Sequence, residues 1–158
     1  MAKSRWKPRQ PNNQQEAMRL CLDYAQHRYN RSVAQVAELI GVSEWTVYKW
    51  MSEGSIPTQR LRPFEHATGA TYLTQYLAAT AQKLVVDIPA GQHCNEDNLL
   101  DLQNAANEAI RLLTEFYRED GDTSQVLEGI NQAMKGLAGH RENVRKYDAP
   151  ELGLFPGE

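Results

Sequence analysis

Residues 32–50, SVAQVAELIGVSEWTVYKW, leave the chain around them few choices. Two short apolar-periodic runs, each opened by a serine, are divided by a single glycine. Ser32 and Gln35 have the spacing of a capping box, so a helix starts at Ser32. Gly41 ends that helix, because a residue free to take positive φ is suited to the position after its last turn. Ser43 then caps a second helix, with Glu44 near its positive end. Val33, Val36, Ala37 and Ile40 point inward from the first helix; Val47 and Trp50 point inward from the second.

This punctuation matches a helix-turn-helix. That motif needs a small residue in its first helix so that the second can cross closely, a glycine at the turn, and apolar anchors in the second helix. Ala37 is the small residue and Gly41 follows four positions later. Ile40 and Val42 flank the turn, and Val47 and Trp50 are the anchors. The outward face of the second helix then carries Ser43, Glu44, Trp45, Thr46, Tyr48, Lys49 and Ser52. In a DNA-binding helix-turn-helix this helix enters the major groove. Lys49 would meet a phosphate or a guanine, and Ser43 and Thr46 a phosphate or a base edge. Tyr48 and Trp45 would meet thymine methyls or a phosphate, and Glu44 would accept from cytosine N4. The competing reading makes Trp45 and Tyr48 core residues of a larger helical domain, with Lys49 merely solvated.

The rest of the chain reads as all-α: an N-terminal helix-turn-helix domain, then a C-terminal helical hairpin, with a short extended segment between them. Residues 1–12 are a polar, basic arm. Residues 13–69 form the helix-turn-helix domain. Its first helix, about 13–28, turns Met18, Cys21, Leu22, Ala25 and Tyr29 to one side, with Asn12 or Asn13 as cap. A short helix with Leu61, Phe64 and Ala67 on one face closes it. Residues 70–94 connect, with a helix over about 70–82 and then the β-branched run LVVDIP. That run needs a partner strand, or it simply runs extended. Residues 95–148 are an acidic hairpin. Leu99, Leu102, Ala106, Ala109, Leu113 and Phe116 are spaced 3, 4, 3, 4, 3, and Leu127, Ile130, Met134, Leu137, Arg141 and Val144 repeat the spacing. Such seams suit a coiled-coil-like contact. Leu99, Leu102, Ala106, Leu113, Phe116, Ile130, Met134 and Leu137 are therefore the candidates for joining copies of the chain. The same row would also serve as an intrachain core against the helix over 70–82. Residues 149–158 are a tail in which Leu154 and Phe155 are candidates for docking.

Charge separates the two halves. Residues 1–62 hold 10 Lys or Arg against 5 acids, a net of +5, whereas the remainder is −8. A basic head on an acidic body points to a polyanion partner for the head. Arg28, Arg31, Arg60 and Arg62 flank the motif as candidate phosphate contacts, although Arg60 and Arg62 have local acids to pair with. Arg5, Lys7 and Arg9 in the arm would follow the DNA backbone or enter the minor groove, or only keep the chain soluble.

Other chemistry finds little footing. Cys21 and Cys94 lie too far apart in sequence to suggest a disulfide framework. His93 and Cys94 are adjacent and have no second ligand pair, so no metal is expected. Glu96 and Asp97 suit a helix start. No phosphate loop, nucleophile elbow or dinucleotide fingerprint occurs, and no enzyme, cofactor or catalytic residue is expected. No apolar run approaches a membrane span, and none follows the basic N-terminus as in a secretory signal. The cytoplasm is therefore the expected location and a membrane partner is not expected.

RSVAQVAELIGVSEWTVYKWMSEGSIP, followed by RPFEHATG, YLAATAQKLVVDIPAG and an acidic helical tail, resembles small regulators of temperate phages and prophages. Within them it is similar to the CII-type family or to helix-turn-helix regulators of Mu-like phages. The first motif is common to many repressors and activators; FEHATG … LVVDIPAG is the more particular part. The resemblance implies an oligomeric, sequence-specific transcription factor acting on operator or promoter DNA at the lysis–lysogeny decision in a bacterial host. It leaves open activator or repressor, homodimer or homotetramer, and contact with host RNA polymerase. Two other classes stand beside this one: an adaptor that binds a host protein through the acidic helices, and a DNA-binding accessory in transposition or replication.

Overall fold

Of the two candidate caps, Asn13 begins the first helix: its side chain accepts from the Glu16 backbone N–H at 2.8 Å. A computed structural model describes residues 9–89, 96–118 and 121–148. Its elements are α1 (Gln14–Tyr29), α2 (Val33–Leu39), α3 (Glu44–Glu53), α4 (Thr58–Thr68), α5 (Tyr72–Thr80), α6 (Glu96–Tyr117) and α7 (Thr123–Asp148). Regular structure among the described residues is helical throughout, so the fold is all-α. Arg5 and Lys7 of the arm, His93 and Cys94, the side chains of Glu96 and Asp97, and Leu154 and Phe155 of the tail lie outside the described residues. The chain divides into two compact units, Met1–Val85 and Val86–Glu158.

In the first unit the predicted caps form. Ser32 Oγ accepts from the Gln35 N–H at 3.3 Å, and Gln35 Oε1 accepts from the Ser32 N–H at 2.8 Å. Two orphan donors at the start of α2 are thereby satisfied reciprocally. Gly41 takes φ +69°, and the chain turns directly into α3. Val36, Ala37, Ile40, Val47 and Trp50 are all buried, because α2 and α3 pack on each other and α1 and α4 cover the remaining sides.

Three expectations change here. Tyr29 is about half exposed rather than part of the inward face of α1; Ala17 and Leu20 are buried instead. Helix α1 packs against α3, α4 and α5, so its buried surface wraps wider than one stripe. Helix α5, assigned by sequence to the connector over 70–94, packs on α1 and adds Tyr72 and Leu73 to the same core. Its predicted length of about 70–82 shortens to Tyr72–Thr80. Residues 83–89 form neither helix nor strand, and Leu84 and Ile88 are largely exposed.

Cys21 sits in this core, its thiol 3.6 Å from the Ala70 carbonyl oxygen it donates to. Burial is the main cause that pushes the thiol up to about 11. At pH 8 roughly a thousandth of it is then thiolate, the reactive form. Cys21 is expected to resist a disulfide-exchange reagent at pH 8 in the native chain and to label promptly in denaturant. Mass spectrometry of the peptide carrying Cys21 reads this, and fast native labelling would contradict the buried placement.

In the second unit α6 and α7 pair as an antiparallel hairpin; α6 uses part of the row that the leucine spacing selects, Leu102 and Ala109, whereas α7 uses a different row from the one selected. The contact uses Ala109 and Leu112 on α6 and Val126 and Ala133 on α7. Gly129 and Gly136 make the close approach possible. A Cβ at Gly129 would lie 2.7 Å from Leu112 Cδ1, and one at Gly136 would lie 2.9 Å from Leu102 Cδ1. Small residues on α7 receive the larger ones of α6, so Leu102 is used inside the hairpin. Leu99, Leu127, Leu137 and Val144 of the predicted seams remain more than half exposed.

Candidate nucleic-acid interface

Helix α3 is held by its inner face and its start. Val47 is fully buried and Trp50 nearly so, three residues on, while Trp45, Tyr48 and Lys49 project outward. That division follows from the 3.6-residue period. Ser43 Oγ accepts from the Thr46 N–H at 3.1 Å, and the two hydroxyl oxygens lie 2.7 Å apart. Ser43 and Thr46 are thus engaged with each other at the positive end of the helix. At the other end, Gln15 donates to the Ser52 carbonyl at 2.8 Å, fastening α3 to α1.

Trp45 is 70% exposed and Tyr48 49% exposed. They are not part of the core of this unit. The Lys49 ammonium lies 5.6 Å from the centre of the Trp45 ring, within cation–π range, and 3.8 Å from a Glu53 carboxylate oxygen. Both contacts are exposed and weak, so the lysine is available to a stronger anion. Desolvation against the helix, then the Glu44 carboxylate, raise the Tyr48 phenol above its ordinary range. At neutral pH it stays an O–H donor. Ser43, Glu44, Trp45, Thr46, Tyr48 and Lys49 are therefore displayed along one short helix as the sequence predicts.

The flanking arginines divide. Arg28 is exposed at the end of α1. Arg31 lies over the Tyr29 ring, 4.8 Å from its centre, and donates to the Ala67 carbonyl at 2.7 Å. Arg60 donates to the Ile40 carbonyl at 2.9 Å, closing the last turn of α2. These two guanidinium groups brace the unit, and only their remaining N–H groups are open to a phosphate. Arg62 pairs with a nearby acid, Glu65, at 3.2 Å. Arg9, in the described part of the arm, lies 3.9 Å from Glu16.

Sequence reasoning passed over Glu65, which is 2% exposed. One of its carboxylate oxygens accepts from the Thr74 N–H at 2.8 Å and the other from the Thr74 hydroxyl at 2.7 Å. Glu65 thereby caps α5 from α4, in place of Thr71, which makes no side-chain cap. The available signal was an acid set between Phe64 and Ala67 on a buried helix face. Among the described residues no three His, Cys, Asp or Glu side chains gather as metal ligands. No helix among them is long and apolar enough to cross a membrane.

Comparisons with protein-family models, with curated proteins and with solved structures found no significant match to this chain.

Proposed function

We propose that this chain is a sequence-specific DNA-binding transcriptional regulator that works as an oligomer, with residues 43–52 as its recognition helix. The observation that carries the reading is the outer face of α3: two aromatic rings and a lysine left in solvent on a helix whose other face is locked into a core. Large aromatics are costly to leave exposed without a use, and a short helix with this display fits the major groove. The net charge of +5 over residues 1–62 would draw that surface to phosphate. The resemblance to temperate-phage regulators supplies the setting, lysis–lysogeny control in a bacterial cytoplasm, with host RNA polymerase as a further partner. No catalysis or cofactor belongs to the proposal.

The test is selection of a preferred site from random duplex DNA, followed by fluorescence anisotropy across a salt titration. Lys49→Ala is expected to weaken the selected site about tenfold and to lower the salt slope by about one if it meets a phosphate. Tyr48→Ala is expected to reduce preference for the selected site more than affinity for random DNA. Sequence-blind binding indifferent to both changes would reject α3 as the reading element. Absence of binding at low salt would favour an adaptor that uses the acidic helices.

A further inference from the structure

The hairpin of α6 and α7 buries one side of each helix and leaves a second apolar row on each. On α6 the free row is Leu99, Ile110, Leu113 and Tyr117, with Ile110 61% and Tyr117 78% exposed. On α7 it is Leu127, Ile130, Met134 and Leu137, with Leu137 58% exposed. Each row lies about a quarter-turn to a third of a turn, in the same rotational sense, from the residues that join the two helices. Antiparallel right-handed helices, seen from one end, wind in opposite senses. The two rows therefore emerge on the same side of the hairpin, as one continuous strip along α6 and α7.

Between Leu99 and Tyr117 on α6 and between Leu127 and Leu137 on α7, that strip carries no charged side chain. Glu108, Arg111 and Glu115 fall on the other side of α6, where Arg111 bridges both acids, at 2.7 Å to Glu108. Glu128 and Lys135 fall on the other side of α7. From Leu127 to Ala138 the strip holds no ionisable group on α7, and its first charge is Arg141, which is paired with Glu142. The half of the chain that carries the net negative charge thus keeps that charge off this face.

We infer that this face is covered by the same face of a second copy of the chain, giving a two-fold, antiparallel four-helix bundle. The inference rests on the oligomeric reading proposed above and names the surface. An uncharged strip can be laid on itself without like-charge repulsion, which two acidic hairpins would otherwise meet. The 22 residues of α6 make a strip about 33 Å long. From the exposures of its side chains, its apolar surface is on the order of 600 Å² per copy, so self-pairing buries about 1,000–1,200 Å², at the threshold a biological interface must clear. Ile110, Tyr117 and Leu127 enter this contact, whereas Leu102, chosen by spacing alone, is occupied inside the hairpin.

Sedimentation velocity of the full chain at micromolar concentration tests it, with Ile110→Glu and Leu137→Glu as the face variants and Gln132→Glu on the opposite side as control. Wild type and the control are expected at twice the 17.9 kDa chain mass or an even multiple of it. Each face variant is expected to shift at least tenfold in dissociation constant toward monomer with helicity by circular dichroism unchanged. A monomeric wild type would overturn the inference even if the face variants fail to fold. So would oligomers that survive both face changes, which would place the interface elsewhere. DNA binding measured on the same samples separates the two proposals. An oligomer broken by these changes that never binds DNA leaves the interface standing and removes the regulator reading.

Discussion

Replacing Glu65 with alanine is expected to cost the N-terminal unit about 3 kcal/mol. Four losses combine. The Thr74 N–H belongs to the first turn of α5, where no helical carbonyl can serve it, and it loses its acceptor. The Thr74 hydroxyl loses its partner as well. A cavity opens beside Phe64 and Thr68, both fully buried. The favourable placement of a carboxylate at a helix N-terminus disappears too. The ion pair with Arg62 adds little, because that guanidinium is mostly in solvent. Glu65→Gln keeps the size and one acceptor oxygen, and about half the loss is expected. All three tryptophans lie within the first fifty residues, so their fluorescence in a urea titration reports on this unit alone. A loss below about 1 kcal/mol for Glu65→Ala would mean that α5 is not held from α4.

Gly69→Ala is expected to be nearly as damaging, at about 2–3 kcal/mol. Gly69 ends α4 at φ +72°, and a Cβ there would sit 2.5 Å from Tyr29 Cε2 and 3.0 Å from its hydroxyl. The left-handed backbone alone costs an alanine about 1 kcal/mol. The remainder is displacement of a rigid ring that Arg31 overlies and Tyr24 meets edge-on. Gly41 provides the internal comparison. It has φ +69°, but nothing lies within 4 Å of its missing Cβ, so Gly41→Ala should show the backbone cost without the collision. Equal losses at the two glycines, measured by the same titration, would remove the Tyr29 contact from the account. Combining Gly69→Ala with Tyr29→Ala should recover part of the loss.

Both effects lie within FEHATG and the segment that follows, the part of the chain that looked most particular in sequence. Its glutamate and glycine have a physical reason here: one caps the next helix, and the other lets Tyr29 of α1 lie against the end of α4. The outer face of α3 was legible because helix periodicity determines which side chains leave once Val47 and Trp50 enter the core. Arg31 and Arg60 were not legible. The carbonyls they meet belong to residues 36 and 20 positions away, and only folding brings these within reach.

The hairpin draws the same line. The all-α class, the helix starts at Ser32 and Ser43, a first helix opening at Asn12 or Asn13, and the turn at Gly41 follow from the sequence by itself, because caps and periodicity act over four residues or fewer. The row of α7 that meets α6 could not be read that way. Leucine spacing favours the row through Leu127 and Leu137, but the helices approach through Gly129, Ala133 and Gly136. Which of two apolar rows packs inside depends on how close two backbones can come and on the volumes that meet there. Those quantities exist only once both helices are in place, so tertiary structure decided them.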